Sequence, residues 1–499
     1  MPYNLAANDS LSDLCEDLSE LRYLYEDRLA AFDKFLKKIR DKNLYQNKNT
    51  YDSLIPIGEK ITGALNRNYK RLNVKKNNIA DLIRIKNSSY EALRSIQLIS
   101  ASFFTSLNYQ SPSFLHSVSA QAGLDLNRIL ANENDYKRDV HLDGIGLERK
   151  YKKEYIDCPF PYNIFVKTYA VSSGMAAFTT VLNFLAMENS IKTYALMGKS
   201  TYFESKILIT KLFGTRVIEF VENDTENIIY RIKKYRPEVL FIDSLANSCT
   251  IPLPDLKTIF NFLKEKYREK ITVVLDNTGM SLSFQPLPYL VSSKNNITLF
   301  SYESLNKYTQ FGMDRVTGGM ITAYGRNIGK LLRYREHLGT ILPDNSVYAI
   351  PTPNRKFLEK RLLKLSRNAY YLAKSLQEHI TIKKLRKIKS IVHPSLSHHP
   401  SFNWSKTLPF TGSYFTFEID KKYQNQKFFK SFLHKTISVA RRRKVQLVAG
   451  SSFGLNITRV YITALNSEFG DPFIRISAGT ECMEEIERIK DVFCEVMSS

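Results

Sequence analysis

A lysine, Lys307, stands in the segment SYESLNKYTQ (301–310), with an apolar run before it and glycines after it. A lysine in a polar loop is ordinarily a solvated surface residue, and this segment alone gives no reason to read it otherwise. Other segments change that. VVLDNTG (273–279) closes an apolar run with Asp276. A carboxylate at a strand end is costly to bury unless it meets a cation such as Lys, Arg or a protonated ring nitrogen. FIDSLANS (241–248) closes another run with Asp243 and Asn247. SSGMAAF (172–178) places small residues and Gly174 between a strand and a helix, where backbone N–H groups at the helix start can hold a phosphate. A tight turn without a ligand would look the same.

These residues need a frame that brings them together. From about residue 165 the chain alternates short apolar or β-branched runs with helix-length segments: YNIFVKTYAVSS, KTYALMG, TRVIEF, PEVLFIDS, ITVVLDN, NITLFSY and GGMITAY. Buried runs of that length joined by helices predict a mostly parallel sheet with crossover helices, an α/β fold. Ligands of such sheets sit at the carboxyl ends of the strands, where nearly all the residues above fall. GSYFTFEID (412–420) and FIRISAGTE (473–481) read as further strands, and the chain closes with the helical MEEIERIKDVFCEVMS. We therefore expect a large α/β domain over 131–344 and a small α+β domain over 345–499. Residues 1–130 read as a helical extension. Within it Leu11, Leu18, Tyr25, Phe32 and Ile39, with Leu14, Leu21 and Phe35, form two heptad stripes broken at Arg28. Such a helix either pairs as a coiled coil with a partner or packs on its own domain.

A phosphate cradle, a carboxylate for a ring nitrogen and an imine-forming lysine are the groups that pyridoxal 5′-phosphate chemistry requires. The order and text of the motifs resemble the Cys/Met-metabolism family of pyridoxal-phosphate enzymes, which includes cystathionine γ-synthase, cystathionine γ-lyase and methionine γ-lyase, with the aspartate-aminotransferase type of fold. SSGMAA is similar to the family's Ser-Ser-Gly-Met, VVLDNT to Val-Val-Asp-Asn-Thr, SLNKY to Ser-Ala-Thr-Lys-Tyr and DRVTGG to Asp-Val-Val-Gly-Gly. HPSLSHHP resembles Tyr-Pro-Gly-Leu-x-x-His-Pro, FIRISAGTE resembles Leu-Val-Arg-Leu-Ser-Val-Gly-Ile-Glu, and YKRDVHLDGIGLE (136–148) more faintly resembles a Tyr-x-Arg segment.

The resemblance implies that Lys307 bonds the cofactor and shuttles protons, that Asp276 keeps the pyridine nitrogen protonated, and that Asn247 contacts the ring hydroxyl oxygen. It implies that Tyr202 of STYFES stacks on the ring and takes part in catalysis. Ser173, Gly174, Met175 and Ser304 would hold the phosphate, with Tyr136 and Arg138 reaching in from a neighbouring subunit of a homodimer or homotetramer. Arg475 would bind the substrate α-carboxylate by a two-pronged bond, with Ser452 beside it. The implied activity is β/γ-elimination or γ-replacement on a sulfur-containing or O-activated amino acid. Transamination and decarboxylation use the same carbanion chemistry and stay open, as does a non-catalytic scaffold binding a macromolecular partner. Three departures bear on substrate choice. Asn306 replaces the threonine before the lysine, Phe311 and Met313 are expected near the cofactor entrance, and Phe203 and Glu204 replace small residues after the stacking tyrosine.

Composition sets the outer bounds. The 499 residues are 43% hydrophobic and 24% charged, as in ordinary globular chains. Five scattered cysteines without a CxxC argue for a reducing, cytoplasmic setting and against a disulfide framework or a metal site. No membrane span is expected, and the N-terminus shows neither a basic leader nor an apolar core. The net charge is +23, and between Arg355 and Lys389 there are 12 Lys and Arg against two Glu. Apolar spacing in that stretch makes a helix with a solvated basic face the leading reading, ahead of nucleic-acid binding, for which no recognition motif is present.

Overall fold

A computed structural model describes residues 10–40, 53–73, 78–107, 141–188, 192–292, 296–464 and 471–498. The seven apolar runs form strands β1 (Val166–Val171), β2 (Ala195–Gly198), β3 (Val217–Phe220), β4 (Val239–Asp243), β5 (Ile271–Asp276), β6 (Ile297–Ser304) and β7 (Gly319–Tyr324) of one sheet, in the order β1-β7-β6-β5-β4-β2-β3. Strands β2 to β6 pair in parallel and β7 runs antiparallel to both β1 and β6. Every residue of β4 is buried, because both faces of the sheet are covered. Val239 and Phe241 face a layer that includes Phe178 and Val181, whereas Leu240 and Ile242 face Ile259, Phe260 and Leu263.

A second sheet has the order β10-β11-β12-β9-β8, with β8 (Ile388–Val392), β9 (Tyr414–Ile419), β10 (Val448–Ala449), β11 (Arg459–Thr463) and β12 (Phe473–Ser477). The sequence reading found β9 and β12. It missed β8, β10 and β11, which are short or lack strict alternation, so their pairing depends on partners far along the chain.

Among the described residues the N-terminal part builds the helices α1 (Ser10–Arg40), α2 (Leu54–Arg71) and α3 (Ile79–Leu107), and α4 (Leu142–Tyr155) comes later. Leu14, Leu18, Leu21, Tyr25 and Phe32 are buried among α2, α3 and the rest of the chain, so the α1 stripe is used internally. Arg28, which interrupts that stripe, is itself buried and donates to the Tyr348 carbonyl at 2.7 Å, docking α1 on a short helix at Asp344–Ala349.

The basic stretch forms a 29-residue helix, Arg355–Lys383, capped by Asn354, whose side chain accepts from the Phe357 N–H. The expected solvated basic face is present in Lys356, Lys360, Lys374 and Lys383, but not all of the helix's cations lie on it. Arg361, Lys364 and Arg367 are spaced three apart and turn toward α1, where they pair with Glu20 (2.8 Å), Asp17 (2.8 Å) and Asp13 (2.7 Å). The residue order reverses along the two helices, so they run antiparallel. Lys86 of α3 also reaches Asp17, at 2.8 Å. Burial by itself raises the Asp17 carboxyl, yet Lys364 and Lys86 overcome it and hold the group below its ordinary range. Among the described residues, no helix is long and apolar enough to cross a membrane.

Removing one partner of a buried ion pair leaves an uncompensated charge, at a cost of about 3–5 kcal/mol. Asp17→Ala leaves Lys364 without its carboxylate and Lys86 with only Glu485 at 3.8 Å, and is expected to lower stability by that amount, read from urea unfolding at pH 7. Because the folded carboxyl titrates below its unfolded value, its contribution is present above the ordinary Asp pKa and is lost as pH falls through the folded pKa. A change of less than about 1 kcal/mol would mean that apolar packing alone holds the N-terminal helices.

Candidate active site

The carboxyl ends of β4, β5 and β6 open into a cavity of about 1040 Å³ that the second sheet closes from the other side. Strand β1 ends at Val171, and the helix Gly174–Glu188 starts after two residues. Ser173 caps it: its Oγ accepts from Ala176 N–H at 3.0 Å and its carbonyl accepts from Ala177 N–H at 3.0 Å. The Gly174 and Met175 N–H groups are left at the cavity wall for an anion. The turn has no room for a side chain, since a Cβ at Gly174 would lie 2.8 Å from the Ser304 Cβ. Ser304 ends β6 and donates its N–H to Thr278 Oγ1 at 3.1 Å.

Three residues on, Lys307 points into the same cavity. Its Nζ donates to Ser452 Oγ at 2.9 Å and lies 5.1 Å from the Phe453 ring centroid. Burial, with the nearby Arg475 guanidinium adding to it, pulls this amine down to about 8. Asn306 serves the turn: its Oδ1 accepts from Gly318 N–H at 3.1 Å and ties the ends of the lysine loop together, while the residue also lines the cavity.

Asp276 and Asp243 are register partners on β5 and β4, so two carboxylates sit side by side. Asp276 accepts from the Thr278 N–H at 2.9 Å and Asp243 from the Tyr202 N–H at 3.0 Å. Burial pushes both carboxyls up, and Asp276 pushes Asp243 further. Neither is in an ion pair among the described residues, although both line the cavity. Tyr202 stands at the start of the helix Phe203–Phe213, and burial and then Glu204 raise its hydroxyl to about 12.

Arg475 on β12 is the opposite case, a buried cation with no ion-pair partner among the described residues. It donates to Asn247 Oδ1 at 2.7 Å and to the Ser452 carbonyl at 3.2 Å, and its guanidinium lies 5.6–5.9 Å from the Tyr414, Phe453 and Tyr461 rings. Its Nε is buried without a partner. Ser452 thus touches Lys307 through its hydroxyl and Arg475 through its carbonyl.

The cavity gathers Ser173, Gly174, Met175, Tyr202, Asn247, Asp276, Ser304, Lys307, Ser452 and Arg475. Tyr136 and Arg138 lie outside the described residues. Phe203 and Glu204 line the cavity as expected. Phe311 and Met313 do not: both are fully buried, Phe311 edge-on to Tyr23 of α1 at 6.0 Å, and the Met313 carbonyl accepts from Arg94 Nε of α3 at 2.8 Å. The loop after Lys307 turns away from the cavity because the N-terminal helices offer it an apolar seat. The sequence reading gave no role to Tyr302, Tyr414, Phe453 or Tyr461. Of these only Tyr302 carried a signal, since it sits opposite Asp276 in the predicted sheet.

The residues fit pyridoxal phosphate. Among the described residues the carboxylate pair has no ion-pair partner, the helix start turns N–H groups to the cavity, and a lysine with a lowered pKa lines the same cavity. Comparison with known proteins agrees. The model of the Cys/Met metabolism PLP-dependent enzymes matches residues 163–492, leaving helices α1 to α4 outside. The bifunctional enzyme flvA of Aspergillus flavus is 23% identical over 330 residues, 65% of this chain and 38% of flvA, so the chain corresponds to well under half of that relative. The L-alanine/L-glutamate racemase of Wolbachia pipientis is 23% identical over 366 residues, 70% of this chain and 83% of the racemase. Among solved structures, cystathionine γ-synthase of Xanthomonas oryzae pv. oryzae, in complex with cystathionine, superposes with a TM-score of 0.56 at 17% identity over 73% of this chain and 88% of that one. Yeast cystathionine γ-lyase gives 0.56 at 18% over 75% and 90%. These likenesses establish a shared fold. Together with the family match, they show that the chain belongs to the Cys/Met metabolism family of pyridoxal-phosphate-dependent enzymes.

Proposed function

We propose that the chain catalyses β/γ-elimination or γ-replacement on an amino acid carrying a sulfur or O-activated leaving group. The observation that carries this reading is the bridge at Ser452, which holds a buried amine and a buried, anion-free guanidinium about one residue's contacts apart. An amino acid has the matching pair of features, an α-carboxylate for Arg475 and an α-proton within reach of Lys307.

Bound pyridoxal phosphate supplies a carbonyl that condenses with amines and a ring that withdraws electrons from the α-carbon. In this reading the protein does the rest. Lys307 holds the cofactor and then takes the proton from Cα; for γ-chemistry it also takes one from Cβ. An amine near neutrality can both accept and return protons, which an ordinary lysine does poorly at pH 7. Asp276 holds a proton on the ring nitrogen, and Asp243 fixes the Tyr202 backbone. Ser173, Gly174, Met175 and Ser304 hold the phosphate. Asn247 fixes the Arg475 fork, which orients the α-carboxylate, and Tyr202 covers the ring. A homo-oligomer with shared sites is part of the same reading.

A second reading is racemisation. It is favoured by the Wolbachia relative, whose alignment covers 83% of that racemase, and by Tyr202, a second hydroxyl proton carrier lining the cavity with Lys307. Release of ammonia and a 2-oxo acid from cystathionine, O-acetylhomoserine, cysteine or methionine supports elimination. Conversion of L- to D-alanine without ammonia supports racemisation, and neither product from any of these would defeat both readings.

Three outcomes follow from the geometry. The purified wild type takes visible colour from pyridoxal phosphate and Lys307→Ala does not; a colourless wild type would remove the cofactor assignment. Arg475→Ala keeps the colour but raises KM on the order of 100-fold, since a buried charge pair is lost. Finally, a lysine whose pKa falls from 10.5 to about 8 costs the apo-protein on the order of 3 kcal/mol at neutral pH. Apo Lys307→Met is therefore more stable than wild type at pH 7. The difference fades as pH rises from about 8 toward 10.5, because the unfolded lysine still holds its proton there while the folded one does not. A difference independent of pH would rule out this origin.

A further inference from the structure

Outside the cavity, one buried side chain touches both loops that surround Lys307. Arg361 lies on the helix Arg355–Lys383, fully buried. Its Nη1 donates to Glu20 of α1 at 2.8 Å, and its Nη2 donates to the Gly454 carbonyl at 3.1 Å and to Asn456 Oδ1. Glu20 also accepts from the Tyr90 hydroxyl of α3. The guanidinium therefore joins two N-terminal helices to the 450–458 loop, the loop that supplies Ser452.

The same group bears on the loop that carries the lysine. Gly312 has φ +78°, and a Cβ there would lie 2.7 Å from Arg361 Nη2 and would also overlap Asn456. Gly454 has φ +80°, and a Cβ there would lie 2.6 Å from the Tyr308 ring and 3.0 Å from the Lys307 carbonyl carbon. The two loops are thus in backbone contact at glycines, with Arg361 and Asn456 filling the junction. Further ties come from α3: Arg94 donates to the Met313 carbonyl at 2.8 Å, Arg315 donates to the Arg94 carbonyl at 2.9 Å, and Lys86 donates to the Thr480 carbonyl at 2.9 Å. The Thr480 N–H in turn donates to the Asn456 carbonyl at 3.1 Å.

We propose that Arg361 is a positioning residue for Lys307, and that through it the N-terminal helices, which lie outside the family-matched residues, hold the amine and Ser452 in register. The proposal rests on the reading of Lys307 as the cofactor-bonding residue. The helices α1 and α3 are then a working part of the active site rather than an appended partner-binding arm. The groups acting on the amine are Arg475, Asp314, Asp276 and Arg459. Arg475 is held by the Ser452 carbonyl, so release of the 450–458 loop removes a hydrogen bond from the amine and lets water in beside it. Both Arg475 repulsion and burial then weaken, and the amine moves back toward an ordinary lysine.

The test uses full-length protein stripped of cofactor, with the rate of colour formation on adding pyridoxal phosphate followed against pH. The wild-type midpoint is expected near 8. Arg361→Gln is expected to raise it on the order of one pH unit, and Arg361→Lys to recover part of that shift. Lys364→Gln removes a neighbouring ion pair on the same helix that touches neither loop, so it should lower Tm and leave the midpoint in place. A folded Arg361→Gln with the wild-type midpoint overturns the proposal, as does a Lys364→Gln shift of the same size. Should Arg361→Gln fail to fold, Asn456→Ala removes the acceptor on the loop side and decides the matter by the same shift or its absence. A wild type that takes no colour defeats the cofactor reading itself, whereas a coloured wild type with unshifted variants defeats only this inference.

Discussion

The site depends on keeping an amine dry. A lysine in water is a cation up to its ordinary pKa of about 10.4 and is neither a nucleophile nor a base near neutrality. Burial and the nearby Arg475 guanidinium bring Lys307 closer to losing its proton near neutrality, and both effects require the second sheet to close over the ends of β4, β5 and β6. Two cations in one cavity would be unfavourable by themselves. They are tolerated because Ser452 and Asn247 satisfy their N–H groups, aromatic faces line the guanidinium, and two carboxylates sit at the far strand ends.

The cavity is electrostatically unfinished at both ends. Asp276 pushes the Asp243 carboxyl up, and among the described residues neither carboxyl nor Arg475 is in an ion pair. Buried charges left in this way raise the energy of the empty site. The same imbalance favours a ligand that brings a proton-bearing or cationic group to one end and an anionic group to the other.

The N-terminal helices meet the rest of the chain through charge as much as through apolar packing. Asp13, Asp17 and Glu20 repeat at helical spacing on α1, and Arg367, Lys364 and Arg361 answer them on a helix more than 300 positions away. Buried pairs of this kind contribute little net stability over an apolar contact, but they penalise any other register heavily. That property suits an element whose placement sets the position of two loops. It also explains part of the basic composition: a run of cations that looks solvated in one dimension is partly matched inside the molecule.

Local chemistry made much of this legible in advance. The seven strands of the large sheet are continuous apolar runs, as strands covered on both faces must be, and the residues at their ends stood where ligand groups belong. Lys307, Asp276 and Asn247 drew notice from their places at or just after strand ends, whereas Tyr202 and Arg475 were named through the resemblance to the family. Contacts that depend on distant segments could not be read in this way. Ser452 as the partner of Lys307, the turning away of Phe311 and Met313, the pairing of Asp243 with Asp276 and the burial of Arg361 each join segments separated by tens to hundreds of residues. The sequence by itself determined which residue types could do the chemistry and which runs had to be strands, since these follow from local pattern. Only the tertiary structure decided which charges were paired, which were left waiting for a ligand and how dry the lysine is, because desolvation and Coulomb energy depend on what lies within a few ångströms in space.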